Sequence, residues 1–447
     1  MREVADTSHL STTKHHHSYS NIINKMPLKI IICGAGIGGL SAAGFLRAKH
    51  DVTVLERGEL DFSINDYGLS VISNAFGLLK KAGVKSENLD TVVMTHVWQR
   101  GPNNEEMRTA VFDTRTRFGG PPSILAKRAK LQKELLRFAT DPEFSGAPAC
   151  IIRNAKVTRV DPLSGKVWTE DGRVFEGDLI VGADGIHSVV RSAVLGEDIT
   201  SSIRTHDTLT FMAQISVEDL RSDPSFVYLA DPTTQAGLCS IHAKSGPQVN
   251  KRILIYHTSA RELQVVGYAS EKEFAEKFDS AKTAIIRDVP VSRVIEEFAP
   301  EFAEGFVNLF RHSQIDAWRI RDIVPLKTWV SGKTLLIGDA AHAVTPQAGQ
   351  GCNVTIEDAE ALGYLLQNVD TPDAIPAVFD KFVSLRKDRV AFVLRRSREL
   401  GNIQTEEDKT KEPITNEEFA RTIYTYQGAE KALNGSKAPV MGHPGKA

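Results

Sequence analysis

Glycines and one acidic residue form a recognisable pattern in residues 334–363, TLLIGDAAHAVTPQAGQGCNVTIEDAEALG. A short apolar run ends at Gly338 and Asp339, a turn-rich loop follows, and a helical pattern begins at Gly351. Such a junction presents the Asp339 carboxylate at the end of a strand. It also points the free backbone N–H groups of a helix N-terminus at whatever lies in front. These residues therefore predict a site for a polyhydroxylated, partly anionic ligand.

A second pattern of this kind lies near the start of the chain. A β-branched run at 28–33 stops at Gly34, Gly36 and Gly39, which have the spacing GxGxxG, and the next strand pattern ends at Glu56. Glycines there let a pyrophosphate approach a helix N-terminus, while Glu56 can accept hydrogen bonds from ribose hydroxyls. We favour a dinucleotide over a structural glycine-rich turn because the acid follows the motif. The acid also favours FAD or NAD over NADP.

A third strand-to-turn junction occurs at 178–191, DLIVGADGIHSVVR. An apolar strand pattern stops at a turn that contains Asp184, and a helical pattern that contains Arg191 follows. Three such junctions in one chain are hard to explain by coincidence. We therefore expect all three to contact the same ligand. The pattern predicts a Rossmann-like α/β fold.

Two helices are predicted outside these junctions. Residues 123–139 (SILAKRAKLQKELLRFA) have a helical pattern, and Arg128 near its start could bind phosphate or the ribityl chain, or could be a solvated helix charge. A long helix is predicted at 374–400. Its basic cluster is interpreted as a solvated face: Arg395, Arg396 and Arg398.

The pattern changes between residues 205 and 268. Apolar and polar side chains alternate at 209–217 (LTFMAQISV), which predicts a half-buried strand, and further strands are expected at 226–229, 237–243 and 253–256. We interpret this part as an inserted antiparallel sheet with one face packed and the other lining a pocket. Single histidines and tyrosines on strands are more often structural than catalytic. Three are retained as catalytic candidates in the pocket: Tyr256, His242 and His257.

The composition of the 447-residue chain is that of a globular protein, with 41% hydrophobic residues, 25% charged residues and a formal net charge of -2. This balance gives no indication of nucleic-acid binding, and no apolar run reaches the roughly 18 residues of a membrane-spanning helix. Four separated cysteines without CxxC spacing predict a reducing compartment, so we expect a cytoplasmic protein. The run of histidines at 15–17 is interpreted as incidental, and no metal site is predicted.

Three segments, GAGIGGL at 34–40, ADG at 183–185 and GDAAHAVTPQAGQGCNVTIEDA at 338–359, carry a family resemblance. In order and spacing they resemble the class A FAD-dependent monooxygenases, the group of para-hydroxybenzoate and salicylate hydroxylases and many fungal biosynthetic enzymes. The resemblance covers residues 28–400. It implies bound FAD, with NADPH or NADH held transiently in a surface groove.

The resemblance implies hydroxylation, in some members with decarboxylation or rearrangement. NAD(P)H reduces FAD, O2 adds to give a C4a-hydroperoxide, and an aromatic, alkaloid or polyketide substrate takes the distal oxygen. A monomer or homodimer without nucleic-acid or membrane partners is expected. The alternatives are a halogenase, a prenyl-chain reductase or a non-catalytic flavin-binding protein, and the region around Trp98 lacks the Trp-x-Trp-x-Ile-Pro element of halogenases.

The resemblance also implies roles for single residues. Glu56 would hold the adenosine ribose, Asp339 would bond the ribityl chain, and the helix N-terminus at Gly351 would lie under the pyrimidine edge of the isoalloxazine. The predicted cofactor-binding residues are Gly34, Gly36, Gly39, Glu56, Arg57, Ser70, Arg128, Asp184, Asp339, Gly351, Cys352 and Asn353, with Arg191 as an addition beside Asp184.

The sequence departs from the family pattern on the substrate side. The usual Glu-Ile-Gly-Ala-Gly loop is replaced by INDYG at 64–68, Met212 stands where an arginine is expected, and Lys130 stands where an aspartate is usual. These departures argue against a phenolate held by an arginine and leave the substrate open. The predicted substrate-pocket residues are Met212, Gln214 and Pro346.

The predicted fold is a Rossmann-like FAD-binding domain with an inserted antiparallel β-sheet domain and C-terminal helices. Its predicted parts are a disordered tail (1–27), the first FAD-binding part (28–200), the substrate-binding sheet (201–325), the second FAD-binding part (326–370), C-terminal helices (371–433) and a flexible tail (434–447).

Overall fold

The computed structural model describes residues 27–64, 66–197, 202–246, 251–275 and 284–435. The tails predicted at 1–27 and 434–447 lie almost entirely outside these residues. Within them the strands are β1 (Lys29–Cys33), β2 (Asp51–Leu55), β3 (Gly68–Val71), β4 (Val92–Val93), β5 (His96–Arg100), β6 (Glu106–Val111), β7 (Ile124–Lys127), β8 (Cys150–Ile152), β9 (Val157–Asp161), β10 (Lys166–Thr169), β11 (Val174–Glu176), β12 (Leu179–Gly182), β13 (Ile203–Ser216), β14 (Gly237–His242), β15 (Arg252–His257), β16 (Glu262–Ala269), β17 (Ile285–Ile286), β18 (Asp316–Ile323), β19 (Val330–Ser331) and β20 (Thr334–Leu336).

The α-helices of the same part of the chain are α1 (Ile37–Leu46), α2 (Ser73–Lys81), α3 (Thr114–Phe118), α4 (Arg128–Thr140), α5 (Val189–Leu195), α6 (Val217–Arg221), α7 (Glu271–Ala275), α8 (Val291–Phe298), α9 (Glu304–Asn308), α10 (Asp339–His342), α11 (Gly351–Leu366), α12 (Ile375–Leu400), α13 (Glu406–Lys409), α14 (Asn416–Tyr424) and α15 (Ala429–Gly435).

Six strands form the central sheet in the order β19-β20-β12-β1-β2-β8. All neighbours are parallel except the β19–β20 hairpin. The carboxyl ends of β1, β2, β12 and β20 therefore meet at one edge, where ligands bind in sheets of this kind. This edge carries the turns that contain Gly34, Glu56, Asp184 and Asp339. The predicted α/β fold is confirmed.

Eight strands form a second sheet in the order β17-β18-β13-β16-β15-β14-β5-β6. Along β13, Phe211 and Ala213 enter a buried core, so Met212 and Gln214 lie on the opposite face. Strands β5 and β6 come from residues 96–111, which the sequence prediction places in the first FAD-binding part. That placement is corrected for these strands, because β5 pairs with β14 of the second sheet.

A small sheet in the order β3-β7-β4 lies between residues 68 and 127. Residues 123–139, predicted as one helix, form β7 and then α4. The helical prediction is wrong for Ile124–Lys127 because these residues complete an antiparallel ladder with β3.

Residues 226–229, predicted as a strand, belong to a 3-10 helix, Pro224–Leu229. Pro224 suits a first helical position, and the Asp223 side chain accepts a hydrogen bond from the backbone N–H of Ser225. Pro224 and Asp223 therefore favour the start of a helix more strongly than the apolar composition of the segment favours a strand.

Arg398 corrects the prediction of a solvated basic face. The side chain is buried, and its Nε donates to Asp322 Oδ2 at 2.6 Å. Asp322 lies on β18, so this ion pair connects α12 to the second sheet.

Asp358 of α11 is a buried carboxylate that holds three other segments. It accepts hydrogen bonds from the backbone N–H of Gly338 at 3.0 Å and from Arg386 Nε at 2.8 Å, and it lies 2.5 Å from His342 Nε2. Burial opposes its ionisation, but His342 and Arg386 outweigh burial and lower the pKa of the carboxyl. The carboxylate therefore fixes α11 against β20, α10 and α12.

Glu357 repeats this arrangement one residue earlier. Arg386 Nη1 lies 2.8 Å from its carboxylate, Arg389 donates to both oxygens at 2.6 and 2.7 Å, and Asn74 donates to one of them. Burial again opposes ionisation, and the two arginines lower the pKa of the Glu357 carboxyl. Arg386 is the cation that the two carboxylates share.

Arg386→Met should lower the free energy of unfolding by about 3–5 kcal/mol, because it leaves two buried carboxylates without their common cation. Urea denaturation measures the change. The control is Lys409→Met, since Lys409 pairs with Glu406 on the surface and such pairs contribute about 1 kcal/mol or less. Equal losses in the two variants would show that the buried charges are not coupled to folding.

Candidate active site

The glycine-rich turn after β1 allows a ligand to approach closely. Gly34 has a φ of 101°, and a Cβ on Gly39 would collide with the Gly34 carbonyl oxygen. No atom lies within 4 Å of the position that a Cβ on Gly36 would occupy. Helix α1 begins there without a side-chain cap or an acid in its first turn. Its first N–H groups are available to an anion.

Glu56 lies beside this turn, directly after β2. Its Oε2 accepts a hydrogen bond from the backbone N–H of Ala35 at 2.7 Å, and its Oε1 accepts one from Gly58 at 2.9 Å. The carboxylate is held against the turn and stays half-exposed. Because each oxygen has a further lone pair, it can still accept from a ribose hydroxyl. Arg57 beside it is exposed.

Asp339 begins α10 in the cleft at the same edge of the sheet. Its side chain is exposed, although protein surrounds the carboxyl on several sides. This crowding raises the pKa of the carboxyl, and His342, Arg128 and Arg191 act in the opposite direction. Contact with water keeps the carboxylate hydrated, and the two arginines favour its charge. We therefore treat Asp339 as ionised at neutral pH.

A second uncapped helix N-terminus belongs to α11, which begins at Gly351. Gln350 provides no side-chain cap, and the first turn contains no acid. Cys352 lies in this turn, and burial raises the pKa of its thiol to about 12, so the thiol is neutral. The free N–H groups and the helix dipole favour negative charge in front of this turn.

Asn353 and Ser70 hold the cleft together. Asn353 Oδ1 accepts from the backbone N–H of Ile72 at 2.8 Å, and its Nδ2 donates to the carbonyls of Ser70 at 3.1 Å and Gly349 at 2.9 Å. The amide is buried, so only the backbone N–H of Asn353 remains for a ligand. The predicted contact between Asn353 and the cofactor is therefore corrected: the backbone N–H, and not the side chain, can make it.

Asp184 and Arg191 also bond within the protein. Asp184 Oδ2 accepts from the backbone N–H groups of Val189 at 2.7 Å and Val190 at 3.2 Å, the first two residues of α5. Burial raises the pKa of its carboxyl despite these bonds. Arg191 donates to the Ala340 carbonyl at 3.1 Å. Both side chains brace the turns around the cleft.

The cleft fits FAD. It offers two uncapped helix N-termini for negatively charged groups and two carboxylates for hydroxyl groups. Arg128 adds a positive charge, since its guanidinium lies 5.7 Å from the ring centre of Tyr67 and acts electrostatically on Asp339 and Cys352.

A pocket of about 430 Å³ lies on the face of the second sheet that carries Met212. Met212 and Gln214 line it, as the sequence predicts. Pro346 is not one of its lining residues and lies exposed at the start of the 3-10 helix Pro346–Ala348. The lining residues are Ser63, Ile64, Asp66, Tyr67, Met212, Gln214, Gln264, Arg287, Ser313, Gln314, Asp316 and Trp318.

Comparison with known proteins identifies the family to which the chain with this cleft and pocket belongs. Residues 27–397 match the family of FAD binding domains. Hispidin-3-hydroxylase from Neonothopanus nambi is 32% identical over 382 residues, which are 83% of this chain and 88% of that protein. The chain is a class A FAD-dependent monooxygenase.

Other relatives of the monooxygenase agree. The FAD-dependent monooxygenase phomE from Diaporthe leptostromiformis is 25% identical over 364 residues, which are 81% of each chain. The crystal structure of Klebsiella pneumoniae HpxO complexed with FAD and uric acid superposes with a TM-score of 0.68 at 25% identity, and covers 91% of this chain and 95% of that one. The comparisons favour the predicted hydroxylase over the halogenase, reductase and non-catalytic alternatives.

The catalytic candidates of the monooxygenase occupy different places. The Tyr256 hydroxyl donates to the Gly68 carbonyl at 2.9 Å. His242 does not line the pocket and lies three strands from β13, about 14 Å away. His257 lies on the core face, where its ring nitrogens bond to the backbone of Gly237 and Leu229. The pocket placement predicted for His257 is wrong, because it alternates with Tyr256 along β15.

The pocket residues of the monooxygenase that the sequence does not predict include Tyr67, Gln264 and Trp318. Tyr67 packs edge-on against Trp318, with ring centres 5.5 Å apart at 76°. A signal for Tyr67 exists in the sequence, since it replaces the usual small residue of the first-domain loop. Gln264 and Trp318 carry no such signal, because their positions depend on pairing between distant strands.

Within the described part of the chain, no helix has the length and apolar character needed to cross a membrane. The same residues contain no group of three histidine, cysteine or acidic side chains that could hold a metal ion.

Glu56→Ala and Asp339→Ala should each weaken FAD binding about 10- to 100-fold, because each removes a charged acceptor for hydroxyl groups of the cofactor. Flavin absorbance relative to protein absorbance, measured after dialysis, reports the loss. Glu170→Ala on an exposed turn is the control. Full flavin content in both cleft variants would remove these two assignments.

Proposed function

We propose that this monooxygenase uses NADPH or NADH and O2 to hydroxylate an aromatic molecule held in the pocket. The observation that carries the proposal is the position of Tyr67, which lines the pocket. Burial raises the pKa of its phenol, and the nearness of Asp339 and Cys352 raises it further. The pocket and the FAD cleft therefore meet at one side chain. Oxygen transfer between a cofactor and a substrate requires such a meeting point.

The pocket suits a planar substrate that carries several oxygen atoms. Tyr67 and Trp318 supply aromatic surface, and Ser313 and Gln314 supply hydrogen-bonding groups. Met212 adds apolar surface where related enzymes place a cation. Two of the small molecules named for relatives are hispidin and uric acid, both of which carry several oxygen atoms. Hispidin is therefore the first substrate to test.

FAD would be held by Glu56, Asp339 and the N-termini of α1 and α11, and it supplies the oxygen-transfer chemistry when bound. The first turn of α11 stabilises negative charge that develops beside it. Residues Asp66 and Tyr67 and the second sheet line the substrate pocket, and a bound substrate would displace water from it, which protects reactive species from side reactions.

A cationic cluster at the mouth of the cleft supports binding of NAD(P)H. Arg321 Nη1 lies 3.4 Å from His187 Nε2. Partial burial lowers the pKa of the His187 imidazole, and Arg321, Arg191 and Arg57 lower it further. The positive charges of the arginines around His187 favour an anion at this point. The phosphates of a pyridine nucleotide are suitable anions for this cluster, which is defined by Arg57, His187 and Arg321.

A cytoplasmic location and a monomeric or homodimeric state are also part of the proposal. The separated cysteines support the first, since Cys33, Cys150, Cys239 and Cys352 are all free thiols.

Purified protein with bound FAD should oxidise NADPH or NADH faster when hispidin is added, because substrate completes the pocket. Mass spectrometry of the product formed under isotopically labelled O2 should show one labelled oxygen atom. Labelled water in a parallel reaction is the control. Incorporation from water, or a halide-dependent product, would contradict hydroxylation by O2.

A further inference from the structure

Three polar side chains in a row on the second sheet form hydrogen bonds with the backbone of residues 66–68. Gln214, Gln264 and Tyr256 lie opposite one another on β13, β16 and β15. The Gln214 amide donates to the carbonyl of Asp66 at 2.9 Å. The Gln264 amide oxygen accepts from the N–H of Gly68 at 3.2 Å.

The third member of the row, Tyr256, donates its hydroxyl to the carbonyl of Gly68 at 2.9 Å. A Cβ on Gly68 would collide with the side chains of Tyr256 and Thr258, so glycine is required for this close approach. The carbonyl of Tyr67 itself accepts from the N–H of Arg128 at 3.0 Å. Hydrogen bonds from the second sheet and from Arg128 therefore fix the backbone around Tyr67.

The ring of Tyr67 is held as well, because it packs edge-on against Trp318 and lies 5.7 Å from the Arg128 guanidinium. Its hydroxyl is different, because it makes no hydrogen bond to any residue in the described part of the chain. A half-buried phenol normally finds a partner. The protein therefore fixes the ring of Tyr67 and leaves its hydroxyl free to donate a hydrogen bond to a ligand.

We propose that Tyr67 orients the substrate, by donating a hydrogen bond from its hydroxyl to an oxygen atom of the aromatic substrate while its ring and Trp318 pack against the substrate ring. Tyr256 is a positioning residue that acts through the backbone of Gly68. The proposal rests on the proposed function, because it takes the pocket as the substrate site. It assigns Tyr256 a role other than acid or base.

The chemistry of the phenol supports a donor role. Burial raises the pKa of the Tyr67 phenol above its ordinary value, although the nearby Arg128 acts in the opposite direction, so the proton stays on Tyr67 throughout the neutral range. A neutral phenol donates to a carbonyl or phenolic oxygen and does not abstract a proton. Substrates that lack an oxygen atom at the matching position should lose this bond and bind less tightly.

The test uses the FAD-loaded protein and hispidin as the probe, with binding measured from the change in flavin absorbance before any NAD(P)H is added. Tyr67→Phe should weaken hispidin binding about three- to tenfold, the usual effect of one lost hydrogen bond. FAD content should not change. Tyr228→Phe is the matched control, because that half-buried phenol bonds to Asn104 on the other side of the second sheet.

A double-mutant cycle separates positioning from general loosening. Tyr256→Phe should weaken hispidin binding in the native background, and should add little when Tyr67→Phe is already present, because both changes act on one hydrogen bond. With NADPH and O2, both variants should release more hydrogen peroxide per NADPH oxidised. Additive effects of the two substitutions would contradict the positioning role of Tyr256.

The outcomes distinguish this proposal from the proposed function. Hispidin that binds the native protein but is not hydroxylated would contradict the proposed function, while the effect of Tyr67→Phe on binding still decides the role of Tyr67. Equal behaviour of native protein and Tyr67→Phe, including no binding by either, would overturn the proposal. A loss of FAD content in Tyr67→Phe without a change in hispidin binding would overturn it too, since the hydroxyl would then bond to the cofactor.

Discussion

The geometry of the flavin cleft depends on the buried carboxylate of Asp358. This one group bonds to Gly338 at the end of β20, contacts His342 in α10 and pairs with Arg386 in α12. Since Asp358 lies about two turns inside α11, it sets the position of the α11 N-terminus relative to Asp339. Buried ion pairs contribute little net stability compared with apolar packing, but breaking one is costly. We therefore interpret this network as a device that fixes orientation.

Most polar side chains near the cleft are used to build it, and backbone groups are left to face the ligand. Asp184 accepts from the first two backbone N–H groups of α5, Arg191 bonds to the Ala340 carbonyl, and the Asn353 amide joins β3 to the loop before α11. The free N–H groups at the starts of α1 and α11 remain. Such groups are fixed by the helix itself, so they need no reorganisation when a charged ligand binds. Glu56 and Asp339 add the two charged acceptors.

The sequence predicts the flavin half of this molecule well because the information there is local. Each strand, glycine turn and helix start is contiguous, and the parallel sheet brings the turns together automatically. The substrate half depends on pairing between distant strands, which a pattern in one strand does not show. The sides of Tyr256 and His257 follow from alternation only after the core face is known. The membership of residues 96–111 in the second sheet, and the burial of Arg398 against Asp322, depend on contacts made across the chain. The sequence marks Tyr67, because it replaces the usual small residue of the first-domain loop. It does not mark Gln264 or Trp318, which lie beside Tyr67 in the pocket.

The central claim is that the N-terminus of α11 lies against the flavin ring while Glu56 holds the adenosine half of FAD. A crystal structure of the FAD complex tests it most directly. Backbone N–H groups of Gly351, Cys352 or Asn353 should lie at about 3 Å from the pyrimidine edge of the isoalloxazine, with Asp339 bonded to the ribityl chain. A flavin ring that lies away from α11, with Asp339 free of the cofactor, would contradict this placement of FAD.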